Sequence, residues 1–202
     1  MTDHPTASSA AAPPSLATEG LPRIPPVPDA QLGPAEVVTS IRQRRGGHLL
    51  NLDRMLLNSP AYAVGWNSFL GAVRNGLSLD ARLRELAICA VAVINRAEYE
   101  WTQHAPEFLS AGGTQAQLDA LREVDSALHN KSLFNTAERA VLELSVQMTR
   151  NIQVSDACFE RVRAALASPQ QQVELAGVIA AYNMVSRFLE ALQVAPEQVV
   201  AG

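Results

Sequence analysis

The stretch LDARLRELAICAVAVINRAEYEWTQHAPEFLSAGG, residues 79–113, decides the fold of this chain. It joins an almost uninterrupted apolar segment, Leu86 to Ile94, to a segment rich in titratable and aromatic groups that includes Glu100 and His104. Apolar residues that continue all round a helix predict a helix buried on every side. The polar groups that follow this segment are where the sequence concentrates the residue types that carry chemistry.

Outward from this stretch, the chain carries helix start and stop signals and lacks strand signals. Its β-branched residues fall at helical spacing, and no Asn-Gly or Asp-Gly pair joins two segments of alternating polarity. N-capping residues and prolines at first helical positions open most of the predicted helices. They stand at Pro34, Ser59-Pro60, Asp80, Asn135, Ser155 and Ser168-Pro169. The sequence therefore predicts an all-α chain of roughly eight or nine helices.

The start of the chain has a different composition. Residues 1–34 contain eight of the twelve prolines and show no apolar periodicity. Proline removes the backbone donor that a helix or a sheet would use. We predict disorder for residues 1–20, an extended arm along the subunit up to residue 34, a helical domain over residues 35–195 and a tail over residues 196–202.

Composition limits the classes of function. The chain has 202 residues, a hydrophobic content of 48% and a net charge of −4. A weakly acidic surface gives no electrostatic reason to expect nucleic acid, because phosphate binding needs clustered Lys and Arg. No apolar run of membrane-spanning length and no signal-peptide pattern are visible, so we expect a cytoplasmic protein that does not insert in a membrane. The expected partner is a small molecule or another protein chain.

The cysteines and the common catalytic and binding motifs give little indication of function. Cys89 and Cys158 lie in apolar helical patterns, where a free cysteine usually behaves as a small hydrophobe. No second histidine stands near His104 at a metal-ligand spacing, so we predict no metal site. Serine-nucleophile elbows and phosphate-binding glycine loops are also missing, and we expect no cofactor.

Glu100, Trp101 and His104 form the one constellation that suggests chemistry. On a single helix, Glu100 and His104 are at i and i+4 and share a face, and Trp101 lies near that face. A histidine oriented by a carboxylate and covered by an indole has the ingredients of a general acid or base. The same residues equally describe an ordinary ion pair on an exposed helix with Trp101 in the core. Glu98 and Tyr99 point to other faces.

The 79–113 stretch closely resembles the core motif of the carboxymuconolactone decarboxylase-like superfamily, which includes the alkyl hydroperoxidase D proteins. The resemblance continues through ERAVLELSVQMTR, residues 138–150, and VELAGVIAAYNMVSRFLEALQV, residues 173–194. It implies an all-α helical bundle that assembles into a homo-oligomer, as a dimer, trimer or hexamer, with sites near subunit contacts.

The peroxidase branch of this family carries a glutamate, a CxxC pair and a histidine. The resemblance aligns the glutamate with Glu85 and the histidine with His104, but the two cysteines fall on Ala97 and Glu100. Peroxide reduction in that branch requires one thiolate to attack the O–O bond and a second thiol to resolve the product. The chain is therefore similar to a cysteine-free branch, and thiol peroxidase activity is not expected.

The resemblance implies a cofactor-independent lyase of the decarboxylase type, or an isomerase, acting on a small carboxylated or lactone-type metabolite. In this interpretation His104 transfers a proton, and Glu85 and Glu100 set its pKa. An arginine would bind the substrate carboxylate, with Arg82, Arg84 and Arg187 as candidates. The other predicted substrate-binding residues are Glu98, Tyr99, Trp101, Tyr182 and Asn183.

Two alternatives remain open at this point. One is a relative of the hydroperoxidases that lacks the CxxC pair and keeps weak activity through another thiol. The other is a non-catalytic oligomeric binding protein, in which the pocket persists without chemistry. An ordinary pKa for His104, with its ring open to bulk water, would favour the binding protein.

Overall fold

The computed structural model describes residues 21–166 and 168–197, and within these residues it contains ten α-helices, one 3₁₀ turn and no β-strand. The all-α prediction is confirmed. The 3₁₀ turn spans Asp29–Gln31. The helices are α1 (Ala35–Arg45), α2 (Asn51–Leu56), α3 (Pro60–Asn75), α4 (Ala81–Asn95), α5 (Glu98–Ser110), α6 (Gln115–Leu121), α7 (Val124–Ala127), α8 (Thr136–Asn151), α9 (Asp156–Ala165) and α10 (Pro169–Leu192).

Helix α4 is the centre of the fold. Its residues from Leu86 to Val91 are fully buried, and α5, α8 and α10 all pack against it. A helix enclosed by three others has no polar face, which is why its apolar residues continue all round. Helix α4 carries one buried carboxylate, that of Glu85. The helices around α4 therefore determine which side chains can approach this carboxylate.

The two ends of α4 have local causes. At the start, the Asp80 carboxylate accepts a hydrogen bond from the backbone N–H of Leu83 at 3.1 Å, as an N-cap does. At the end, Arg96 adopts a left-handed conformation with φ 56°, and α5 begins two residues later. This tight connection lays α5 directly on α4. Further along, Gly113 lies so close to the Phe108 ring that an added Cβ would stand 2.3 Å from it.

The arm before α1 packs on the helical domain at two places. The backbone N–H of Arg23 donates to the Leu192 carbonyl at 3.0 Å, at the end of α10. Further on, the backbone carbonyl of Arg54 in α2 accepts a hydrogen bond from the Val27 N–H at 3.2 Å, and the Arg54 guanidinium forms an ion pair with Asp29 at 2.7 Å. The disorder predicted for residues 1–20 concerns residues outside those that the structure describes.

The predicted number of helices was too low. The described residues contain ten α-helices against the roughly eight or nine predicted, and the short helices α2 and α7 account for the difference. Helix α10 contains no uninterrupted apolar run of membrane-spanning length, because residues such as Glu174, Asn183 and Arg187 interrupt it. Among the described residues it alone is long and apolar enough to cross a bilayer by length and composition, with 44% of its most apolar window buried. Its packing against α3, α4 and α8 accounts for that apolar content.

Candidate active site

Glu85 and His104 meet where α5 packs on α4. The Nδ1 atom of His104 lies 2.6 Å from Oε2 of Glu85, and each residue is 4% exposed. The spacing of the two residues in the sequence does not by itself require this contact. It follows from the short connection between α4 and α5, which places the start of one helix against the middle of the other.

Arg74, near the end of α3, fixes the protonation of His104. One terminal nitrogen of its guanidinium lies 3.0 Å from Nε2 of His104. A guanidinium can only donate, so Nε2 must accept, and the ring proton must sit on Nδ1, where it is donated to Glu85. His104 is therefore a neutral imidazole. Burial, together with the nearby charge of Arg74, lowers the pKa of His104 to about 4 despite the favourable Glu85 carboxylate.

Glu85 is the anionic member of this pair. Burial alone would raise the pKa of Glu85, but the hydrogen bond with His104 and the adjacent Arg84 guanidinium outweigh burial and lower it. Arg84 Nε donates to Oε1 of Glu85 at 3.1 Å. Both carboxylate oxygens thus have a partner, as a buried charge requires.

Tyr182 of α10 completes the enclosure of His104. Its ring meets the imidazole edge to face, with centroids 4.9 Å apart and an interplanar angle of 84°. Its hydroxyl accepts a hydrogen bond from Nε of Arg74 at 2.8 Å. Tyr182 therefore positions both the ring and the guanidinium that contacts the ring. The prediction that the Trp101 indole covers His104 is wrong. Trp101 stacks on Arg122 instead, with 3.8 Å from the guanidinium carbon to the ring centroid.

Glu100 does not form the predicted pair with His104. Within residues 21–166 and 168–197 its hydrogen-bond partner is Ser186 of α10, whose Oγ lies 3.0 Å from Oε2 of Glu100. The other oxygen, Oε1, is buried and has no hydrogen-bond partner. Burial raises the pKa of Glu100 well above its ordinary value. The carboxylate that orients His104 is Glu85, and the prediction that Glu100 does so is corrected.

A small cavity borders these groups. Its polar lining comes from Arg45, Arg74, Tyr99, Glu100, Gln103 and His104, and its apolar lining comes from Leu50, Leu52, Val185 and Leu189. The volume is about 10 Å³, close to the smallest that holds one water molecule. A metabolite therefore requires the wall of the cavity to move.

Several predicted substrate-binding residues lie away from this cavity. Glu98 is on the surface, 3.8 Å from Arg122. Asn183 bonds to Thr149 at 2.9 Å and to the backbone of its own helix. Tyr99 lines the cavity and Tyr182 contacts its histidine, so these two are near the site.

The three predicted arginines do not line the cavity. Arg82 pairs with Glu138 at 2.9 Å, Arg84 pairs with Glu85, and Arg187 donates to Asn183. Arg74, which the sequence analysis missed, is an arginine that lines the cavity. A signal was present: Arg74 is four residues after Leu70, in line with the buried stripe of α3, and a cation at the end of such a stripe needs a buried partner.

Thiol and metal chemistry have little support from the side chains. Cys89 and Cys158 are fully buried, and burial raises the pKa of both thiols, to about 11 for Cys158. A thiol with a raised pKa supplies little of the thiolate that attacks a peroxide. Among the described residues, no group of three or more His, Cys, Asp or Glu side chains could hold a metal ion.

The fold has clear relatives among solved structures. A peroxidase-related protein of uncharacterised function from Silicibacter sp. TM1040 is 20% identical, with a TM-score of 0.70 over 90% of this chain and 92% of that chain. A similar protein from Ralstonia eutropha JMP134, described as an alkylhydroperoxidase AhpD core, is 17% identical, with a TM-score of 0.75 over 89% of this chain and 94% of that chain. The fold is thus of the alkyl hydroperoxidase D type.

Another structural relative is an enzyme. A cysteine-to-alanine variant of the debrominase Bmp8, in complex with 2,3,4-tribromopyrrole, is 17% identical, with a TM-score of 0.68 over 85% of this chain and 90% of that chain.

The sequence of the middle of the chain matches a family model. Residues 60–144 match the model of the carboxymuconolactone decarboxylase family. This match contains α3, α4 and α5, which carry Arg74, Glu85 and His104, and it confirms the resemblance noted in the sequence. A sequence comparison with curated proteins gave no match.

Proposed function

We propose that this protein is a cofactor-independent enzyme, a lyase of the decarboxylase type or an isomerase, that acts on a small carboxylated or lactone-type metabolite. Proton transfer at His104 is the chemical step. The proposal includes a cytoplasmic location and a homo-oligomer, as the resemblance implies.

The observation that carries the proposal is the set of contacts at the two ring nitrogens of His104. A buried, neutral imidazole with Nδ1–H held by an anionic carboxylate has a lone pair on Nε2 that is oriented by the protein. This is the arrangement of a general base whose tautomer is fixed by a second residue. An ordinary surface histidine, which would have favoured a non-catalytic protein, has neither the burial nor the lowered pKa.

Arg74 gives this base a selective partner. Its guanidinium caps Nε2 of His104 at 3.0 Å, and it lines the same cavity. Arginine recognises carboxylates through two parallel N–H donors. A substrate carboxylate that binds Arg74 draws the cation away from the ring, which raises the pKa of His104 and frees its lone pair. The substrate thus activates its own base, and uncharged molecules leave it capped.

The chemistry needs no redox partner. In an isomerisation, the base takes a proton from one carbon and an acid returns a proton to another. In a decarboxylation, the bond from carbon to the substrate carboxylate breaks, carbon dioxide leaves, and the enolate carbon takes a proton. Both reactions gain from a cation near the developing enolate, which is the position of Arg74.

A non-catalytic oligomeric binding protein is the second candidate. The observations that favour it are the cavity of about 10 Å³ and the capped Nε2 atom. A hydroperoxidase relative without the CxxC pair is a weaker candidate, because both cysteines are buried with raised pKa values.

Ligand-detected NMR on the purified full chain tests the proposal. A panel of carboxylated lactones and related enol acids is followed for binding and for product over time. We expect turnover of at least one member, abolished in His104→Ala and retained in His129→Ala, a matched variant at an exposed histidine. Binding without turnover would move the assignment to the binding protein, and a loss below about tenfold in His104→Ala would overturn the mechanism.

A further inference from the structure

Glu100 is a buried carboxyl group without an ion-pair partner among the described residues, whereas the buried carboxylates of Asp53, Glu85 and Glu138 each pair with an arginine. Glu100 is 1% exposed, and its single hydrogen-bond partner among the described residues is a serine hydroxyl. An ionised carboxylate presents about four acceptor sites, and burial of the charge costs several kcal/mol unless those sites are satisfied. One hydroxyl does not meet that need.

The hydroxyl of Ser186 has a second neighbour. Its Oγ lies 2.8 Å from the Tyr182 carbonyl oxygen and 3.0 Å from Oε2 of Glu100. A serine has one proton, and a carbonyl can only accept. If each contact is a two-centre hydrogen bond, Ser186 donates to the carbonyl and accepts from Glu100. Glu100 then carries the proton, as a neutral carboxylic acid.

The charged and titratable groups around Glu100 agree with a neutral acid. Burial, with a smaller contribution from Glu190 of α10, raises the pKa of Glu100 and outweighs the hydrogen bond with Ser186 and the charge of Arg74 from α3, which lower it. Among the described residues, Ser186 is the hydrogen-bond partner of Glu100. Arg45, Tyr99 and His104 line the cavity with Glu100, and its charge also acts on Cys89 of α4 and Tyr182 of α10.

We propose that Glu100 is a protonated carboxylic acid at neutral pH and is the proton donor of the site, opposite the neutral base His104. Both residues line the same cavity, and Oε1 of Glu100 is buried without a hydrogen-bond partner among the described residues. This inference rests on the proposed function and narrows it toward isomerisation, because one neutral acid and one neutral base exchange protons with a substrate without net uptake.

The step balances. Nε2 of His104 takes a proton from one substrate carbon, and the electron pair of that C–H bond moves into the enolate. Glu100 then donates its proton to a second carbon, which leaves a carboxylate and an imidazolium. Transfer of the proton from His104 to Glu100, either directly or through water, restores both neutral groups.

Infrared spectroscopy of the full chain at neutral pH tests the state of Glu100 without a substrate. A protonated carboxylic acid has a carbonyl stretch separate from the carboxylate bands. We expect this band in the wild type, its loss in Glu100→Gln, and its retention in Glu138→Gln, where the exchanged side chain is also buried but has several polar partners. Absence of the band from the wild type, or its retention in Glu100→Gln, would overturn the proposal.

A second variant covers the possibility that Glu100→Gln does not fold. In Ser186→Ala the acid loses its acceptor, so the band should remain and move to higher frequency. An unchanged band would contradict the bond from Glu100 to Ser186. On a substrate found in the panel, Glu100→Gln should lose about 10²-fold or more in turnover with binding retained, and a loss below about tenfold would overturn the donor role. A panel without turnover would count against the proposed function and against the donor role, whereas the infrared band still decides whether Glu100 is protonated.

Discussion

Two of the buried clusters of carboxylates and arginines in this molecule are built differently. In the first, Glu138 at the start of α8 accepts from the Asn135 backbone at 2.8 Å, from Gln117 at 3.1 Å and from Arg82 at 2.9 Å. In the second, at the cavity, Glu100 leaves one oxygen without a partner and Arg74 is held by an imidazole and a phenol.

The difference separates a structural cluster from a site. The Glu138 cluster joins a capping box to a charge pair and satisfies both oxygens, so its polar groups stabilise the junction of α4, α6 and α8. The cavity cluster keeps one buried acceptor without a partner, Oε1 of Glu100, next to groups with shifted pKa values. Polar groups left without partners in a buried position are costly, and this cost is typical of functional sites.

The largest expected difference between the clusters is in catalysis. Glu85→Gln replaces the anion that stabilises a protonated His104 with a neutral amide, and we expect turnover to fall by about 10²- to 10⁴-fold. The matched variant Glu138→Gln should stay within about twofold of the wild type, since Glu138 lies outside the cavity lining. Steady-state kinetics on a substrate from the panel measures both. Equal losses in the two variants would erase the distinction.

The pH dependence of stability should also come from the cavity cluster. His104 has a pKa of about 4 in the folded chain, against 6.5 as its ordinary value. As pH falls from 6.5 to 4, the unfolded chain binds a proton that the folded chain does not, so the free energy of unfolding decreases. At most about 3 kcal/mol is lost over this window.

Urea denaturation of the wild type and of His104→Gln at a series of pH values checks this sign. The variant lacks the titrating ring, so its stability should fall less than that of the wild type between pH 6.5 and 4. The lowered pKa of Glu85 adds a decrease of the same sign at lower pH, and the raised pKa of Glu100 acts in the opposite direction. If the free energies of unfolding of the two proteins change with pH in the same way, the pKa of His104 is not lowered in the folded chain.

Removal of single side chains should affect stability more in the structural cluster. Glu138→Ala removes a capping carboxylate and leaves Gln117 with an unmet donor, and we expect a loss of about 2 to 3 kcal/mol in the free energy of unfolding. Glu100→Gln replaces a neutral acid with a neutral amide of the same shape and should change it by less than about 1 kcal/mol. Chemical denaturation measures both variants. A Glu100→Gln protein that is destabilised as strongly as Glu138→Ala would mean that the structure depends on an ionised Glu100.

The smallest expected effect concerns the thiol nearest the cavity cluster. Cys89 is fully buried four residues after Glu85, and burial raises its pKa. Cys89→Ser should therefore not change the rate of peroxide consumption, and a thiol reagent should label Cys89 only after denaturation. Rapid labelling of the folded chain at Cys89, or a lower peroxide rate in the variant, would restore the hydroperoxidase alternative.

The sequence predicted the parts of this structure that depend on local patterns. The fully apolar segment of α4 indicated a central helix, the caps indicated helix starts, and the resemblance aligned Glu85 and His104, which do lie in contact. It did not predict the contacts of Arg74 and Ser186. The buried stripe of α3 indicated that Arg74 needs a buried partner but not which one, and nothing near Ser186 in the sequence specifies its contact with Glu100.

The error at Glu100 has a similar cause. An i to i+4 spacing puts two residues on one face of a helix, but the partner of each is chosen by the neighbouring helices. Helix α4 presents Glu85 to His104, and α10 presents Ser186 to Glu100 and Tyr182 to the imidazole. The side on which each neighbour lies is a property of the tertiary structure alone.

The packing of Glu197 has a practical consequence for protein production. Its carboxylate accepts from the Tyr99 hydroxyl at 2.8 Å, from the Asn51 backbone at 2.8 Å and from Gln103 at 2.7 Å. Tyr99 and Gln103 both line the cavity. An affinity tag fused after residue 202 would be only a few residues in sequence from Glu197. A chain that ends before Glu197 would lose the hydrogen bonds that hold Tyr99 and Gln103 in the cavity wall. Purification handles and fluorophores for binding assays are therefore better attached ahead of residue 1.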